Sequence, residues 1–275
     1  MADGIIAAAV IPHVPRIGIE ERAPEFAKGM IAGIKEAGES IRALKPDAIV
    51  LMSAHWVSTF AWYATGQSVH KGICVAEEAP DLIPGSPYEY KGKPELAEAL
   101  AEKVSAQDIP MLVNTSPNYN WDYASYVPMH YLDPDAEIPV VTLSTVICSS
   151  LDECHDVGQM VADVAKETGL RVVFIASCAL SHAVVRGPEL WPTPERQEMD
   201  HKIIEMLKTP DADALYTYLP TFAKEAVAEM GGRVLGAYFG VLKHMQKDQK
   251  LAGTQFGPYA QSSGSGNASI CITPQ

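Results

Sequence analysis

Four nearly continuous apolar segments, rich in valine and isoleucine, constrain the fold of this chain more than any other feature. They span residues 4–11, 48–54, 138–144 and 171–177. Apolar runs of this kind are typical of strands buried on both faces of a parallel sheet. Residues 23–45 and 151–169 carry apolar stripes at helical spacing, and Gly169 stands where the second helix would end. The pattern predicts an α/β fold with a central, mostly parallel sheet covered by helices on both faces.

The rest of the chain departs from this alternation. Residues 56–69 alternate apolar and polar side chains around a glycine, which predicts a small hairpin, and a proline-rich loop follows at 77–94. The C-terminal third looks helical and closes with a glycine-rich turn and one last strand in residues 262–273. Because no composition shift or linker marks a boundary, we expect residues 1–275 to form a single domain.

Composition excludes several classes of protein. The formal net charge of −13 argues against nucleic acid as a partner, because phosphate binding needs a concentrated basic surface. The five cysteines form no C-x-x-C pair, which is typical of a protein from a reducing compartment. The N-terminal apolar run lacks a basic flank and is broken by proline, and no run is long enough to span a bilayer. We therefore expect a cytoplasmic protein without a membrane partner.

Three histidines follow predicted strands: His13 after the first, His55 after the second and His182 after the fourth. Strand ends line the ligand crevice in open α/β sheets, so these imidazoles are expected to converge in one pocket. Each alone would more often be a hydrogen-bonded structural histidine, but three at equivalent positions favour the shared pocket. His130 lies among apolar residues, where a packed position and a substrate-facing position are equally compatible with the sequence.

Common catalytic signatures are missing from the sequence. It contains no H-E-x-x-H zinc motif, no G-x-S-x-G nucleophile turn and no phosphate-binding P-loop. The run "SSGSGN" would suit a tight turn near the pocket better than a phosphate loop, because a strand and not a helix follows it.

Five short motifs occur in a familiar order: "IPHVP", "SAHW", "DYASYVPMHYL", "SCALSH" and "SSGSGNA". Together they resemble the class III extradiol ring-cleavage dioxygenases, the family related to the B subunit of protocatechuate 4,5-dioxygenase. Within it, the motifs resemble those of homoprotocatechuate 2,3-dioxygenases and of the two subunit types of 2-aminophenol 1,6-dioxygenase. The resemblance extends from about residue 5 to residue 273.

The resemblance implies a non-haem Fe(II) cofactor held by His13, His55 and one carboxylate, a facial triad that leaves positions open for substrate and O₂. It also implies that His182 acts as an acid or base near the substrate hydroxyl. Tyr123 matches a tyrosine that contacts substrate or oxygen, and His130 lies on the same segment, so we expect both to be catalytic.

The third ligand is where this sequence departs from the pattern. The family's glutamate is expected about a dozen residues before the final glycine turn, and residues 242–268 contain no glutamate. An ungapped match to the aminophenol catalytic subunit places Gln255 at that position, and a match to the homoprotocatechuate pattern places Phe256 or Pro258 there. Of these residues, only Gln255 has a side-chain oxygen that could bind a metal. We therefore expect Gln255 to complete the metal site, with Asp248 as the nearest carboxylate.

The sequence is compatible with two functions. The first is an active dioxygenase that inserts both atoms of O₂ into a small aromatic substrate, such as a catechol, aminophenol or hydroxypyridone. It would form a homo-oligomer, a dimer or tetramer, although a hetero-oligomer is also compatible with the resemblance. The second is a non-catalytic partner subunit, against which the retained histidines argue. A metal-dependent hydrolase would need a carboxylate base that the sequence does not place.

Overall fold

The computed structural model describes residues 4–275, in which ten strands and seven α-helices occur. The strands are β1 (Gly4–Ile11), β2 (Ala48–Ser58), β3 (Trp62–Thr65), β4 (Val69–Cys74), β5 (Ser86–Lys91), β6 (Met111–Asn114), β7 (Val140–Val146), β8 (Arg171–Ser177), β9 (Leu251–Ser262) and β10 (Ser265–Pro274). The helices are α1 (Lys28–Ala43), α2 (Pro94–Ser105), α3 (Tyr123–Leu132), α4 (Leu151–Glu167), α5 (Pro194–Lys208), α6 (Ala212–Glu225) and α7 (Arg233–Gln246).

The four apolar segments form the centre of the main sheet, as predicted. Within residues 4–275 this sheet has eight strands in the order β6-β3-β7-β2-β8-β1-β10-β9. Strands β7, β2, β8 and β1 are neighbours and run parallel. The carboxyl ends of β2, β8 and β1 therefore lie side by side at one edge of the sheet.

Helices cover both faces of this sheet. Successive residues of a strand point to opposite faces, so Phe174 of β8 packs in a cluster with Tyr238 of α7, whereas its neighbour Ile175 packs with Ile34 of α1. Each of these side chains is fully buried. The prediction of an α/β sheet sandwiched between helices is confirmed.

Two details differ from the predictions. Residues 56–69 do not form a hairpin, because β3 joins the main sheet while β4 pairs with β5 in a separate two-stranded sheet. The partner strand β5 lies inside the segment that its prolines suggested was a loop. The chain also ends in two strands rather than one, since β9 pairs antiparallel with β10. Glycine and proline are tolerated in β9 because it is the edge strand.

No helix in the described part of the chain, residues 4–275, combines the length and the apolar character needed to cross a bilayer.

Candidate metal and active site

The three predicted histidines meet at the carboxyl edge of the sheet. His13 follows the end of β1, and His182 lies in the loop after β8. His55 lies within β2, beyond a shift of the pairing register with β7. The backbone N–H groups of His55 and Trp56 donate to Ser53 Oγ at 3.1 and 3.0 Å, which holds this irregular part of the strand.

His13 is buried and oriented by a serine. Its Nδ1 lies 3.1 Å from Ser177 Oγ, which itself donates to the Ala124 carbonyl at 2.6 Å. Because that hydroxyl proton is already engaged, Ser177 Oγ accepts from Nδ1–H of the imidazole. The tautomer leaves Nε2 as a free electron-pair donor, 3.2 Å from Glu229 Oε1.

His55 is oriented in the same sense by a carboxylate. Its Nδ1 lies 3.1 Å from Glu78 Oε1, so the proton is on Nδ1 and the lone pair is on Nε2. That Nε2 lies 3.5 Å from Glu229 Oε1 and 2.7 Å from the hydroxyl of Tyr123, which donates to it. Both imidazoles thus present Nε2 to the same point.

Glu229 reaches this point through a tight turn between α6 and α7. Ala228 forms an antiparallel bridge with Ser181, and the backbone N–H of Glu229 donates to the Leu180 carbonyl at 3.2 Å. The short pairing aligns Glu229 with the loop that carries His182. Its Oε2 accepts from the backbone N–H of Ala179 at 2.6 Å, which fixes the side chain.

The other carboxylate oxygen of Glu229 is buried and unsatisfied. No hydrogen bond from within residues 4–275 reaches Oε1, although His182 Nε2 lies 3.4 Å from it in addition to the two other imidazoles. Burial opposes ionisation, but the adjacent imidazoles outweigh it and hold the pKa of Glu229 well below its usual range. A cation bound between this carboxylate oxygen and the imidazole nitrogen atoms would give the buried oxygen the partner that it lacks.

His13, His55 and Glu229 are therefore a candidate metal site. One ligand atom from each of the three lies within 4.8 Å of the others. Two imidazoles and one carboxylate are the donor set of the facial triad used for non-haem iron. The residues present thus fit a divalent metal ion.

His182 and Tyr123 lie beside this group. Burial lowers the pKa of His182 against the opposing effect of Glu229, so its imidazole is neutral near neutral pH. Burial also raises the pKa of Tyr123, with the nearby carboxylates Glu78 and Glu229 adding to the effect, so its hydroxyl keeps its proton. His182 offers a proton acceptor and Tyr123 a donor at the same place.

A cavity of about 390 Å³ opens onto these side chains. Its lining contains the three histidines, Tyr123 and Glu229. Arg16, Glu78 and polar residues in and beside the glycine-rich turn between β9 and β10 also line it. This volume suits a small molecule with a single ring.

Gln255, the predicted third ligand, does not line the cavity that the three histidines share. It lies on the edge strand β9, paired with Ile270 of β10, and its amide donates to the Gly257 carbonyl at 3.3 Å. The side chain that the structure brings together with His13 and His55 is that of Glu229.

His130 also lies away from the cavity. It follows Tyr123 by about two turns of α3, and its ring packs against Tyr126 and Tyr131, with centroid distances of 5.4 and 4.8 Å. Of the two possibilities that the sequence left open, the structure places His130 in the packed position.

Sequence reasoning missed Glu229 because the search window began too late in the chain. All of α7 and β9 lie between Glu229 and the glycine turn, whereas the expected spacing was about a dozen residues. A local signal was available in "EMGG", since two consecutive glycines interrupt the helical pattern there.

Comparison with known proteins agrees with this site. The model of the family described as the catalytic LigB subunit of aromatic ring-opening dioxygenase matches residues 7–262. The chain belongs to this family. It is a ring-cleaving dioxygenase of the extradiol type, as the resemblance in the sequence predicted.

Two relatives match most of the chain. The 3,4-dihydroxyphenylacetate 2,3-dioxygenase of Escherichia coli is 24% identical over 81% of this chain and 84% of its own length. The 2-aminophenol 1,6-dioxygenase beta subunit of a Pseudomonas species is 25% identical over 98% of this chain and 94% of its own.

The crystal structure of an uncharacterised protein from Escherichia coli K12 is similar in fold. It aligns with a TM-score of 0.69 at 18% sequence identity and covers 97% of this chain and 99% of its own. The match supports the α/β architecture described above.

Proposed function

We propose that this dioxygenase uses Fe(II), bound by His13, His55 and Glu229, to open an aromatic ring that carries two adjacent oxygen substituents, or one oxygen and one nitrogen. The observation that carries the proposal is the buried, unsatisfied Glu229 Oε1 facing two imidazoles whose protons are engaged on the far side. A ring carbon–carbon bond is broken and both atoms of O₂ end in the product.

The facial arrangement leaves room for the substrate on the cavity side. When bound, Fe(II) supplies the one-electron chemistry that lets an aromatic ring react with O₂. The two substituents of the ring would face His13 and His55, with the rest of the ring in the cavity of about 390 Å³.

His182 is proposed to move the proton of a substrate hydroxyl. Its Nε2 faces the cavity beside Glu229, and the lowered pKa keeps this nitrogen free to accept a proton at neutral pH. The same atom can return the proton to the developing product, which is the usual task of a general acid and base.

Tyr123 is proposed to orient oxygen atoms at the same place. Its hydroxyl remains protonated and lies 2.7 Å from His55 Nε2, so it is next to any group bound beside that imidazole. A donor in this position favours oxygen atoms that gain negative charge during the reaction.

A partner subunit without activity is the less well supported alternative. Burying an ionised glutamate costs free energy that a metal ion or an ion pair must offset. Glu229 is 4% exposed and His13 5%, and a vestigial site would not need this arrangement. Two relatives are by name the alpha and beta subunits of 2-aminophenol 1,6-dioxygenase. We propose that this chain assembles as a homodimer or homotetramer, which size-exclusion chromatography with light scattering would test.

Oxygen uptake after anaerobic loading with Fe(II) tests the proposal. The substrates are a panel of catechols, 2-aminophenols and hydroxypyridones, and the appearance of the ring-opened product is followed by absorbance. We expect uptake matched by product for at least one class. Absence of both uptake and retained iron in wild-type protein would favour the partner-subunit alternative.

A further inference from the structure

Arg16 lines the active-site cavity and lies three residues after His13 in the chain. It occupies a short 3₁₀ turn, Pro15–Ile17, that begins where the chain leaves the metal site. Its side chain is half-buried and lines the same cavity as His13, His55 and His182. Apart from the histidines, it is the one basic residue in the lining formed by residues 4–275.

The guanidinium of Arg16 has no partner among the residues that the structure describes. Lysines elsewhere on this acidic chain do pair with carboxylates, as Lys91 does with Glu137 at 2.7 Å and Lys103 with Glu167. The exposed carboxylate of the cavity lining, Glu78, is already engaged by His55 Nδ1. In a chain with 34 acidic and 21 basic residues, an unpaired arginine facing a cavity is free to bind an anion.

From this placement we propose that Arg16 binds an anionic substituent, a carboxylate, on the aromatic substrate. The inference rests on the proposed function, since it takes the two adjacent ring substituents to face His13 and His55. The carboxylate would then be the substituent that reaches Arg16 in the same cavity. The planar guanidinium suits it because two parallel N–H donors match two carboxylate oxygens.

The wall beside Arg16 is compatible with such a ligand. The glycine-rich turn contributes Ser262, Ser263, Ser265 and Asn267, which are polar and uncharged. The overall charge of −13 would repel an anionic substrate, so a local positive group is needed to hold it. Glu78 is the one exposed carboxylate of the lining within residues 4–275, and its bond to His55 turns it toward the imidazole.

Paired ligands isolate the contribution of this one contact. The ligands are 3,4-dihydroxybenzoate, 3,4-dihydroxyphenylacetate and 3,4-dihydroxyphenylpropionate, each with its neutral methyl ester. The series varies the reach of the carboxylate while the ring is unchanged. Dissociation constants are measured by anaerobic calorimetry on iron-loaded protein, and kcat and KM by oxygen uptake.

For Arg16→Gln we expect binding of the best acid to weaken about 10- to 100-fold, the usual range for loss of a charge-assisted hydrogen bond. The corresponding ester should change by less than about threefold, which is within the context dependence of a neutral contact. Arg16→Lys should keep part of the preference because it keeps the charge. The matched control is Arg22→Gln, which removes the same charge from an exposed residue outside the cavity and should leave acid binding unchanged.

Two results would overturn the inference. In the first, wild-type protein binds and opens the esters as well as the acids, which leaves the proposed function standing without a carboxylate subsite. In the second, Arg16→Gln weakens acid and ester equally, which gives Arg16 a structural role. If iron-loaded wild-type protein neither binds nor opens any aromatic of the wider panel, the proposed function fails and this inference fails with it.

Discussion

At the scale of single residues, the positions of the imidazole protons determine which histidine nitrogen atoms are available in the site. Ser177 and Glu78 hold the Nδ1 protons of His13 and His55, so both Nε2 atoms are available as ligands. The imidazole of His182 has no such partner at its Nδ1 among the described hydrogen bonds, and its Nε2 faces Glu229 at 3.4 Å. The contrast separates two residues suited to bind a metal from one suited to exchange protons.

Replacing His182 should therefore affect turnover and not metal content. For His182→Asn we expect kcat to fall about 10²- to 10⁴-fold, the usual contribution of a positioned general acid or base. Iron per chain after anaerobic loading should match wild type. Loss of the iron together with the activity would instead make His182 a ligand and contradict the role assigned to it.

Glu78 should act on the metal through His55. Its carboxylate, about two-thirds exposed at 62%, fixes the imidazole from the outside, and removal of such a partner typically lowers metal affinity 10- to 100-fold. Glu78→Gln should show this loss in a competition with a chelator. Glu77→Gln is the control, since the neighbouring Glu77 is exposed and lies outside the lining of the active-site cavity. Equal affinities in the two variants would show that His55 needs no such support.

The positions of the histidines were predictable from sequence, whereas Glu229 was not. A histidine that follows an apolar strand segment lies near the sheet edge for any conformation of the loops. The local sequence pattern is therefore sufficient to predict the positions of His13 and His55. Glu229 lies in a turn between two helices, and its position depends on the pairing of Ala228 with Ser181. That pairing joins parts of the chain far apart in sequence, so no local pattern reveals it.

At the scale of structural elements, the turn after α6 is the critical one. Met230, Gly231 and Gly232 have φ angles of 49°, 63° and 79°, three left-handed residues in succession. Arg233 supports the turn by donating to the Met230 carbonyl at 2.9 Å and to the Ile147 carbonyl at 2.7 Å. Glu229 reaches the histidines because the chain turns here and does not continue as helix.

Gly232→Ala should distort this turn. An added Cβ would lie 3.1 Å from both Ala223 Cβ and Leu219 Cδ1, in addition to the strain of a left-handed alanine. We expect a loss of about 1–3 kcal/mol in the free energy of unfolding, measured in urea, together with weaker metal binding. The control is Gly169→Ala, which has a φ of 65° but an added Cβ with nothing within 4 Å. Gly169→Ala should lower the free energy of unfolding by about 1 kcal/mol and leave metal affinity unchanged. The same loss of metal affinity in both variants would contradict this account of the turn.

The strands that were predicted correctly from sequence are those whose burial on both faces makes every residue apolar. The central strands are apolar throughout because both faces are covered, so their identity is visible in sequence. Strands β4, β5 and β9 lie in the small sheet or at the edge of the large one, where glycine, proline and polar residues are tolerated. Their pairing is decided by distant segments, and the expected hairpin at 56–69 was wrong for that reason.

At the scale of the whole molecule, we expect the fold not to depend on the metal, because the proposed ligands lie at the carboxyl edge of the sheet. The sheet and its helices pack through two clusters of buried hydrophobic side chains. Removal of the metal by a chelator should therefore leave the far-ultraviolet circular dichroism unchanged.

Metal removal should still lower the melting temperature. At a free metal concentration about 100-fold above Kd, binding stabilises the folded state by about 2.7 kcal/mol, which is roughly 5–10 °C for a domain of this size. Differential scanning calorimetry of chelated and iron-loaded protein would measure the shift. Unfolding on chelation would show that the metal is structural, contrary to its position at the rim.

Iron content per chain after anaerobic loading and desalting tests the central claim most directly. The comparison is between Glu229→Ala and Gln255→Ala, with circular dichroism to confirm that both variants are folded. We predict one iron per chain in wild type and in Gln255→Ala, and loss of iron in Glu229→Ala, because Glu229 is the carboxylate beside His13 and His55. Full iron in Glu229→Ala, or loss of iron in Gln255→Ala, would contradict the assignment.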